Sequence, residues 1–254
     1  MVKHRHLGLI GLISLSGITS LLLGTQSFAP TVEPIAPRIA QQTTKTDAAD
    51  QIYDEAVELL EQGTAESLRQ AIPKFEQAVR LYRQAGNQGK EAVSLNNIGR
   101  VYSSLGQKQQ ALDYYNQALP LFQAVGDRGG EATTLNNIGA VYSSLGQKQQ
   151  ALDYYNQALP LIQAVGDRGG EATTLNNIGR VYDELGQKQQ SLDYYNRALP
   201  LRRAVGDRRG EATTLNNIGA VYYSLGQKQQ ALDYYNRALP LSRVVGDRRG
   251  EATT

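Results

Sequence analysis

The pentapeptide LNNIG begins at Leu95 and recurs unchanged at Leu135, Leu175 and Leu215, once every 40 residues. Around each copy the similarity extends over the whole interval, for which residues 126–165 give the pattern GDRGGEATTLNNIGAVYSSLGQKQQALDYYNQALPLIQAV. A fixed period of 20–50 residues is typical of stacked repeats rather than of one closed domain. The sequence therefore predicts a repeat array.

Each unit contains two segments with helical periodicity. The apolar residues of the first segment are Leu135, Ile138, Val141, Tyr142 and Leu145, and those of the second are Ala151, Tyr155, Ala158, Ile162 and Val165. Gly126 can end the preceding helix in a left-handed conformation, and Asp127 can cap the next one. Gly146 separates the two helices, and Gly139 lies where the partner helix must approach closely. The pattern predicts an all-α fold of antiparallel helix pairs.

The predicted boundaries follow the period. Four similar units cover residues 87–126, 127–166, 167–206 and 207–246, a divergent unit covers 48–86, and residues 247–254 begin a further unit. The divergent unit lacks the paired asparagines and has three extra residues between Gly63 and Ala71. Atypical terminal units commonly shield the end of an array, so residues 48–86 are predicted to form a capping repeat.

The N-terminus has the pattern of an export signal. A basic start is followed by the apolar run of residues 7–23, which is typical of a signal peptide or of an uncleaved membrane anchor. We expect residues 1–29 to direct export to the periplasm or the medium, with cleavage after Ala29 or Ser27, or to anchor the chain. The prolines that follow predict a flexible linker over residues 30–47.

The composition excludes several kinds of site. The chain has no cysteine, and its only histidines are His4 and His6, so disulfides, thiolate metal sites and cysteine nucleophiles are excluded. The formal net charge is +2, and Lys3 and Arg5 account for it. Near-neutral chains are poor candidates for nucleic-acid binding. The GDRGG stretch lacks the Lys-Ser/Thr of a phosphate loop. We expect no catalytic residues, no metal, no cofactor and no nucleic-acid partner.

The unit resembles the tetratricopeptide repeat. The resemblance is carried by Leu135, Gly139, Tyr142, Gly146, Ala151, Tyr155 and Ala158. The 40-residue length and the GDRxGEAxxLxNxG junction are similar to the longer kinesin-light-chain and LGN type, and the GQKQQALDYYNQAL wording is similar to bacterial arrays that precede a CHAT protease domain. The resemblance implies a right-handed superhelical solenoid whose first helices line a concave groove.

Prolines inside the second helices depart from the family pattern. They are Pro120, Pro160, Pro200 and Pro240. Each removes a helical hydrogen bond, at a cost of about 3 kcal/mol that packing must outweigh. We expect a bend at these positions.

Two asparagines in each LNNIG stretch are the main candidate groove residues. The first asparagines are Asn96, Asn136, Asn176 and Asn216, and the second asparagines are Asn97, Asn137, Asn177 and Asn217. The second asparagines match the family residue that typically contacts a bound peptide, and an amide offers both donors and an acceptor to an extended chain. Alternatively, they connect neighbouring helices. That choice stays open for the second asparagines, whereas the first are expected to be exposed in the groove.

Two other positions on this face vary from unit to unit. One holds Arg100, Ala140, Arg180 and Ala220, and the other holds Ser103, Ser143, Asp183 and Tyr223. Ligand selectivity requires variation confined to one face, although drift on a solvated face produces it too. We take Arg100, Arg180, Asp183 and Tyr223 as further candidate groove residues.

The sequence thus predicts a non-catalytic scaffold that binds a protein or an extended peptide in its groove, with acidic groups of the partner favoured by the arginines. The alternative is a recognition array of a larger enzyme whose CHAT-type protease domain lies beyond Thr254. An RNA-binding helical repeat is disfavoured by the charge and by the period.

Overall fold

The computed structural model describes residues 35–244 and residue 246. This part of the chain consists of ten α-helices without any strand. They are α1 (Ile35–Gln62), α2 (Ala65–Ala85), α3 (Gln88–Ser104), α4 (Lys108–Val125), α5 (Arg128–Ser144), α6 (Lys148–Val165), α7 (Arg168–Glu184), α8 (Lys188–Ala204), α9 (Arg208–Ser224) and α10 (Lys228–Val244). The predicted signal or anchor of residues 1–29 and the unit start at 247–254 lie outside the described residues. Among the helices described, none has the length and apolar character needed to cross a bilayer.

The helices form five pairs, α1/α2 to α9/α10, and the second helix of each pair packs against the first helix of the next. The predicted punctuation is confirmed. Gly126 has a φ of 71° and ends α4, while the Asp127 carboxylate accepts a hydrogen bond of 2.9 Å from the Gly130 N–H and caps α5. Because the same residues recur every 40 positions, the same turn recurs between units.

The core lies between successive units as well as within them. Ile138 and Val141 on α5 pack against Ala111, Leu112 and Tyr115 on α4. The equivalent side chains form the same contact at the later junctions. Burying one such side chain stabilises the fold by about 1.5–3 kcal/mol, so each unit is held mainly by its neighbours.

The outer face of α1 is polar. We align α1 with α3 by their turn glycines, Gly63 and Gly106. Glu58 then matches Val101, and Glu55 matches Ile98. Glu58 is exposed, and the Glu55 carboxylate pairs with the Lys74 ammonium at 2.5 Å. A solenoid end that meets water requires such a polar face.

Two details of the first unit differ from expectation. Helix α1 begins at Ile35, so residues 35–47 are helical and the prediction of a flexible linker is wrong for them. Pro37 lies in the first turn of α1, where backbone N–H groups have no acceptor within the helix, so a proline is tolerated there. Residues 38–47 contain no proline or glycine that would interrupt the helix. The three extra residues lengthen α2 to 21 residues, against 18 for α4, rather than the connection before it.

The second helices run through their prolines. Helix α4 continues past Pro120 to Val125, and α6 continues past Pro160 to Val165. Packing therefore outweighs the lost hydrogen bond, as expected, while the bend itself stays a prediction.

One junction breaks the apolar pattern. Phe122 and Ile162 are buried at equivalent positions of α4 and α6, with 2% and 5% exposed, but α8 has Arg202 there. Its side chain is only 13% exposed. The guanidinium reaches Asp207 Oδ2 at 2.5 Å and Thr173 Oγ1 at 2.9 Å, while Nε is buried without a partner. This junction holds a costly charge where the two preceding junctions hold a hydrocarbon side chain.

Replacing Arg202 by isoleucine is expected to raise the free energy of unfolding by about 1 kcal/mol, because buried ion pairs are often less stabilising than apolar side chains of similar volume. Asp207 would keep its capping bond to the Gly210 N–H, as Asp167 does beside Ile162. Urea denaturation measures the change. Arg203→Gln is the control. It changes the residue next to Arg202 to the glutamine found at the equivalent position, Gln163, of the preceding unit, and it should shift the free energy of unfolding by less than about 0.5 kcal/mol. A loss of stability in Arg202→Ile would contradict the prediction.

Candidate functional site

The first helices lie on the inner side of the array. Helices α3, α5, α7 and α9 approach one another more closely than the second helices do. Because a stack of helix pairs bends toward the layer in which its members are closer, the first helices line the concave side. The residues proposed from the sequence as a groove lie on these helices.

The first asparagines connect consecutive units. Asn96 Oδ1 accepts hydrogen bonds from Thr134 Oγ1 at 3.2 Å and from Asn137 Nδ2 at 3.3 Å. Asn176 Oδ1 likewise accepts from Thr214 and Asn217, at 3.3 and 3.2 Å. Asn136 Oδ1 accepts from Thr174 Oγ1 at 3.1 Å. We call this row of bonds the asparagine ladder.

The ladder corrects the expectation that the first asparagines are free in the groove. Asn96 is buried, with 8% exposed, while Asn136, Asn176 and Asn216 are half-buried. The physical reason is the threonine opposite. Thr134 is fully buried, and its hydroxyl, which has the Gly130 carbonyl at 2.8 Å, also lies 3.2 Å from Asn96 Oδ1. Asn96 therefore faces the next unit, as do Asn136 and Asn176.

Three of the second asparagines, Asn97, Asn137 and Asn217, also bond to neighbouring helices. Asn97 is buried, and its Nδ2 donates to the Tyr53 hydroxyl at 2.9 Å while its Oδ1 accepts from Arg100 Nη1 at 3.0 Å. Asn137, Asn177 and Asn217 are half-buried. In the ladder, Asn137 uses only its amide nitrogen. The bonds of Asn97, Asn137 and Asn217 therefore connect neighbouring helices, and a role of the second asparagines in peptide binding stays a prediction.

The other candidate residues fall into two groups. Arg100, Arg180 and Tyr223 are exposed, Tyr223 to 62%. Asp183 is instead engaged, because its carboxylate pairs with the Lys188 ammonium at 2.6 Å. The structure brings Asn97 and Arg100 into contact, while Arg180 lies two units further along the same side.

The gap between α1 and α3, here called the first seam, differs from the other seams between first helices. Counted from the turn glycines, Tyr53 stands on α1 where α3 has Asn96. Asn97 donates to the Tyr53 hydroxyl as Asn137 donates to Asn96. Because the tyrosine oxygen lies a whole ring further from the backbone, the same bond forms across a wider gap, and α1 lies less closely against α3 than α3 does against α5.

Two clefts open along the first seam, with volumes of about 370 and 410 Å³. Tyr53 and Val93 line both. The first cleft is completed by Asp50, Asp54, Tyr82 and Lys90, and the second mainly by Val57, Leu60, Leu68, Glu61 and Arg100. A smaller cleft of about 160 Å³ lies at the junction of α5, α6 and α7. The first seam therefore offers more room for a ligand.

A compact charge network forms the wall of the first cleft. The Lys90 ammonium lies 2.6 Å from both oxygens of Asp50, and the Tyr82 hydroxyl donates to Asp50 Oδ1 at 2.5 Å. The bond from Lys90, and then that from Tyr82, hold the pKa of Asp50 below its ordinary value. Burial raises the pKa of Tyr82 and of Tyr53, so both phenols stay protonated.

Sequence reasoning missed the residues of the first seam. Tyr53, Asp50, Asp54, Lys90 and Val93 were not among its candidates, because the divergent unit was treated as a cap. The signal was available, since an alignment on the turn glycines puts Tyr53 in register with the first asparagines. Within the described part of the chain, no group of three or more acidic, histidine or cysteine side chains is arranged to hold a metal ion.

Comparisons with known proteins agree with this architecture. The tetratricopeptide repeat family model matches residues 63–124, 119–164, 130–204 and 201–243. No curated protein sequence matches the chain.

Solved structures with a similar fold include the following three. BtubC (BKLC) from P. vanneervenii is 23% identical, with 85% of this chain and 93% of that chain covered and a TM-score of 0.62. Aspartyl phosphate phosphatase F from Bacillus subtilis is 18% identical over 85% of this chain and 56% of that chain, with a TM-score of 0.72. A Rap protein in complex with Competence and Sporulation Factor is 16% identical over 78% and 55%, with a TM-score of 0.68. These likenesses confirm the predicted right-handed superhelical solenoid.

Proposed function

The chain belongs to the tetratricopeptide repeat family, and from this we propose that it is a scaffold that binds an extended peptide or a peptide segment of a protein along its first helices. The observation that carries the proposal is the first seam, where two clefts of about 370 and 410 Å³ open on the concave side. Pockets of roughly 300–1,000 Å³ with apolar walls and a few polar groups are typical binding sites.

Polar groups on the inner side of the first helices suit a peptide backbone. The Tyr53 hydroxyl accepts from Asn97, so its own proton is available to a ligand carbonyl. Asn137 uses its amide nitrogen in the ladder, and its carbonyl oxygen can accept from a ligand N–H. A similar fold in a Rap protein holds Competence and Sporulation Factor, which supports the use of such a solenoid as a ligand holder.

Arg100 and Arg180 give the groove its charge preference. Both are exposed, and Asn97 holds the Arg100 guanidinium in place. They lie 80 residues apart, which is two units along one face. We propose that they attract acidic groups of the partner. The pattern of residues 1–29 supports the further proposal that the scaffold acts outside the cytoplasm or at a membrane.

The proposal predicts that a bulky side chain in the middle of the groove blocks binding. Random dodecapeptides displayed on phage are selected on the immobilised protein, and the enriched peptides are titrated in solution. Ala140→Trp, on the inner side of α5, is expected to weaken their binding by about tenfold or more. Added salt should weaken binding to the unchanged protein as well, since exposed charge contacts are screened.

The matched control is Asn156→Trp, which places the same ring on an exposed position of α6 in the same unit. It should leave the affinity within about twofold, because it lies on the outer layer. Equal losses in the two variants, or no loss in Ala140→Trp with its helicity intact, would remove the groove from the binding site. Failure to enrich any peptide would count against the proposed function too.

A further inference from the structure

We propose that the first seam anchors the partner by a basic side chain beside Asp54 and a neighbouring apolar side chain in the second cleft. This inference rests on the proposed function and adds the chemistry of the residues recognised. At this seam the second asparagine, Asn97, donates to a tyrosine, Tyr53, whereas Asn137 and Asn217 donate to asparagines.

The apolar part follows from the walls of the second cleft. Val57 and Leu60 on α1 and Val93 on α3 are half-buried, and Leu68 is buried beneath them. The charged side chains of Glu61 and Arg100 also line this cleft, so its apolar part is the face formed by Val57, Leu60 and Val93. An aliphatic or aromatic side chain placed against that face loses contact with water.

The basic part follows from charges that the protein leaves uncompensated. Asp54 lines the first cleft, is exposed, and forms no ion pair within residues 46–244. Its neighbour Asp50 is already paired with Lys90. The first unit as a whole has seven acidic and four basic side chains over residues 48–86, so its net charge of −3 favours a cationic group at this end of the groove.

The surroundings also suit an ammonium or guanidinium group. Lys90 of the protein itself lies 5.7 Å from the centre of the Tyr82 ring while it contacts Asp50, so the cleft already holds one cation between a carboxylate and an aromatic face. Tyr53 stands next to Asp54 in the sequence and lines the same cleft. A carboxylate and aromatic rings together attract cations more strongly than either alone.

The geometry sets the spacing of the two anchoring residues in the partner. Along α1, Asp54 precedes Glu61 by seven residues, about 10 Å at 1.5 Å per residue, which an extended peptide covers in about three residues. The basic residue at Asp54 and the apolar residue of the second cleft would then lie within about three positions of each other. Acidic groups of the partner would lie beside Arg100, which lines the second cleft, and further along towards Arg180.

The test is a charge reversal with a matched control. Random dodecapeptides on phage are selected separately on the unchanged protein, on Asp54→Lys and on Glu58→Lys. The two variants change charge equally, one turn apart on α1, but only Asp54 lines a cleft, while Glu58 lies on the outer face. We expect the unchanged protein and Glu58→Lys to enrich peptides with Lys or Arg within three positions of an apolar residue. Asp54→Lys should lose this enrichment and bind the selected peptides about tenfold or more weakly.

The outcomes separate the inference from the function on which it rests. Peptides that are blocked by Ala140→Trp but show no basic preference would overturn the inference and leave the binding groove standing. Equal effects of Asp54→Lys and Glu58→Lys would also overturn it, because they would indicate attraction by overall charge. Peptides unaffected by Ala140→Trp, or no enrichment at all, would contradict the proposed function as well.

Discussion

Gly99→Ala is expected to lower the free energy of unfolding by about 1–3 kcal/mol, although alanine is the better helix former, because it overpacks a closed site. A Cβ atom at Gly99 would lie 2.5 Å from Cε1 and 2.6 Å from Cδ1 of Tyr115. The Tyr115 ring is buried, with 2% exposed, so it has no room to move away. Either the ring or the α3 backbone must shift, and the contact between the paired helices α3 and α4 loosens. Chemical denaturation in urea measures the loss.

Gly89→Ala is the matched control, because it makes the same substitution in the first turn of α3. There the new Cβ would meet only Asn87 Oδ1, at 3.9 Å. We expect this variant to be neutral or more stable by up to about 1 kcal/mol, the usual gain from glycine to alanine in a helix. If the two variants behave alike, helix propensity rather than the contact with Tyr115 decides the effect.

The helices and their pairing could be predicted because their determinants are local. Gly126 and Asp127 act within one turn of the chain, and the spacing of Leu135, Ile138 and Val141 marks one helix face wherever the helix lies. The prediction that Gly139 meets the partner helix is likewise confirmed, since a Cβ there would lie 2.7 Å from Tyr155. Because the units are nearly identical in sequence, a correct prediction of the helices in one unit applies to the other units as well.

The orientation of the asparagines could not be predicted in the same way. Asn96 and Asn97 are about 100° apart around the helix, and both are polar, so periodicity does not decide which of them faces the next unit. The deciding residue is Thr134, which is 38 positions later and fully buried. Its hydroxyl and the Asn137 amide both contact Asn96 Oδ1, and these contacts exist only after the units have stacked.

The first seam was missed for a related reason. A unit without asparagines was interpreted as a cap, and the outer face of α1 is indeed polar, but a cap has an inner side as well. There Tyr53 replaces an asparagine and keeps the bond to Asn97. The longer side chain coincides with the two clefts, both of which Tyr53 lines. Its effect depends on the distance between two helices, which the sequence does not state.

Leu192→Ala is expected to have the largest effect, a loss of about 2–5 kcal/mol in the free energy of unfolding, while the same change at Leu232 should cost less than about 0.5 kcal/mol. The two leucines occupy one position of α8 and α10. Leu192 is 4% exposed and packs with Ile218 and Val221 of the following unit, whereas Leu232 is 52% exposed. Because a repeat array is stable through the contacts between neighbours, a cavity at the first site weakens the link between two units, and truncation at the second removes little contact. Urea denaturation of both variants measures the difference. Equal losses would mean that the outer face of α10 is covered in solution.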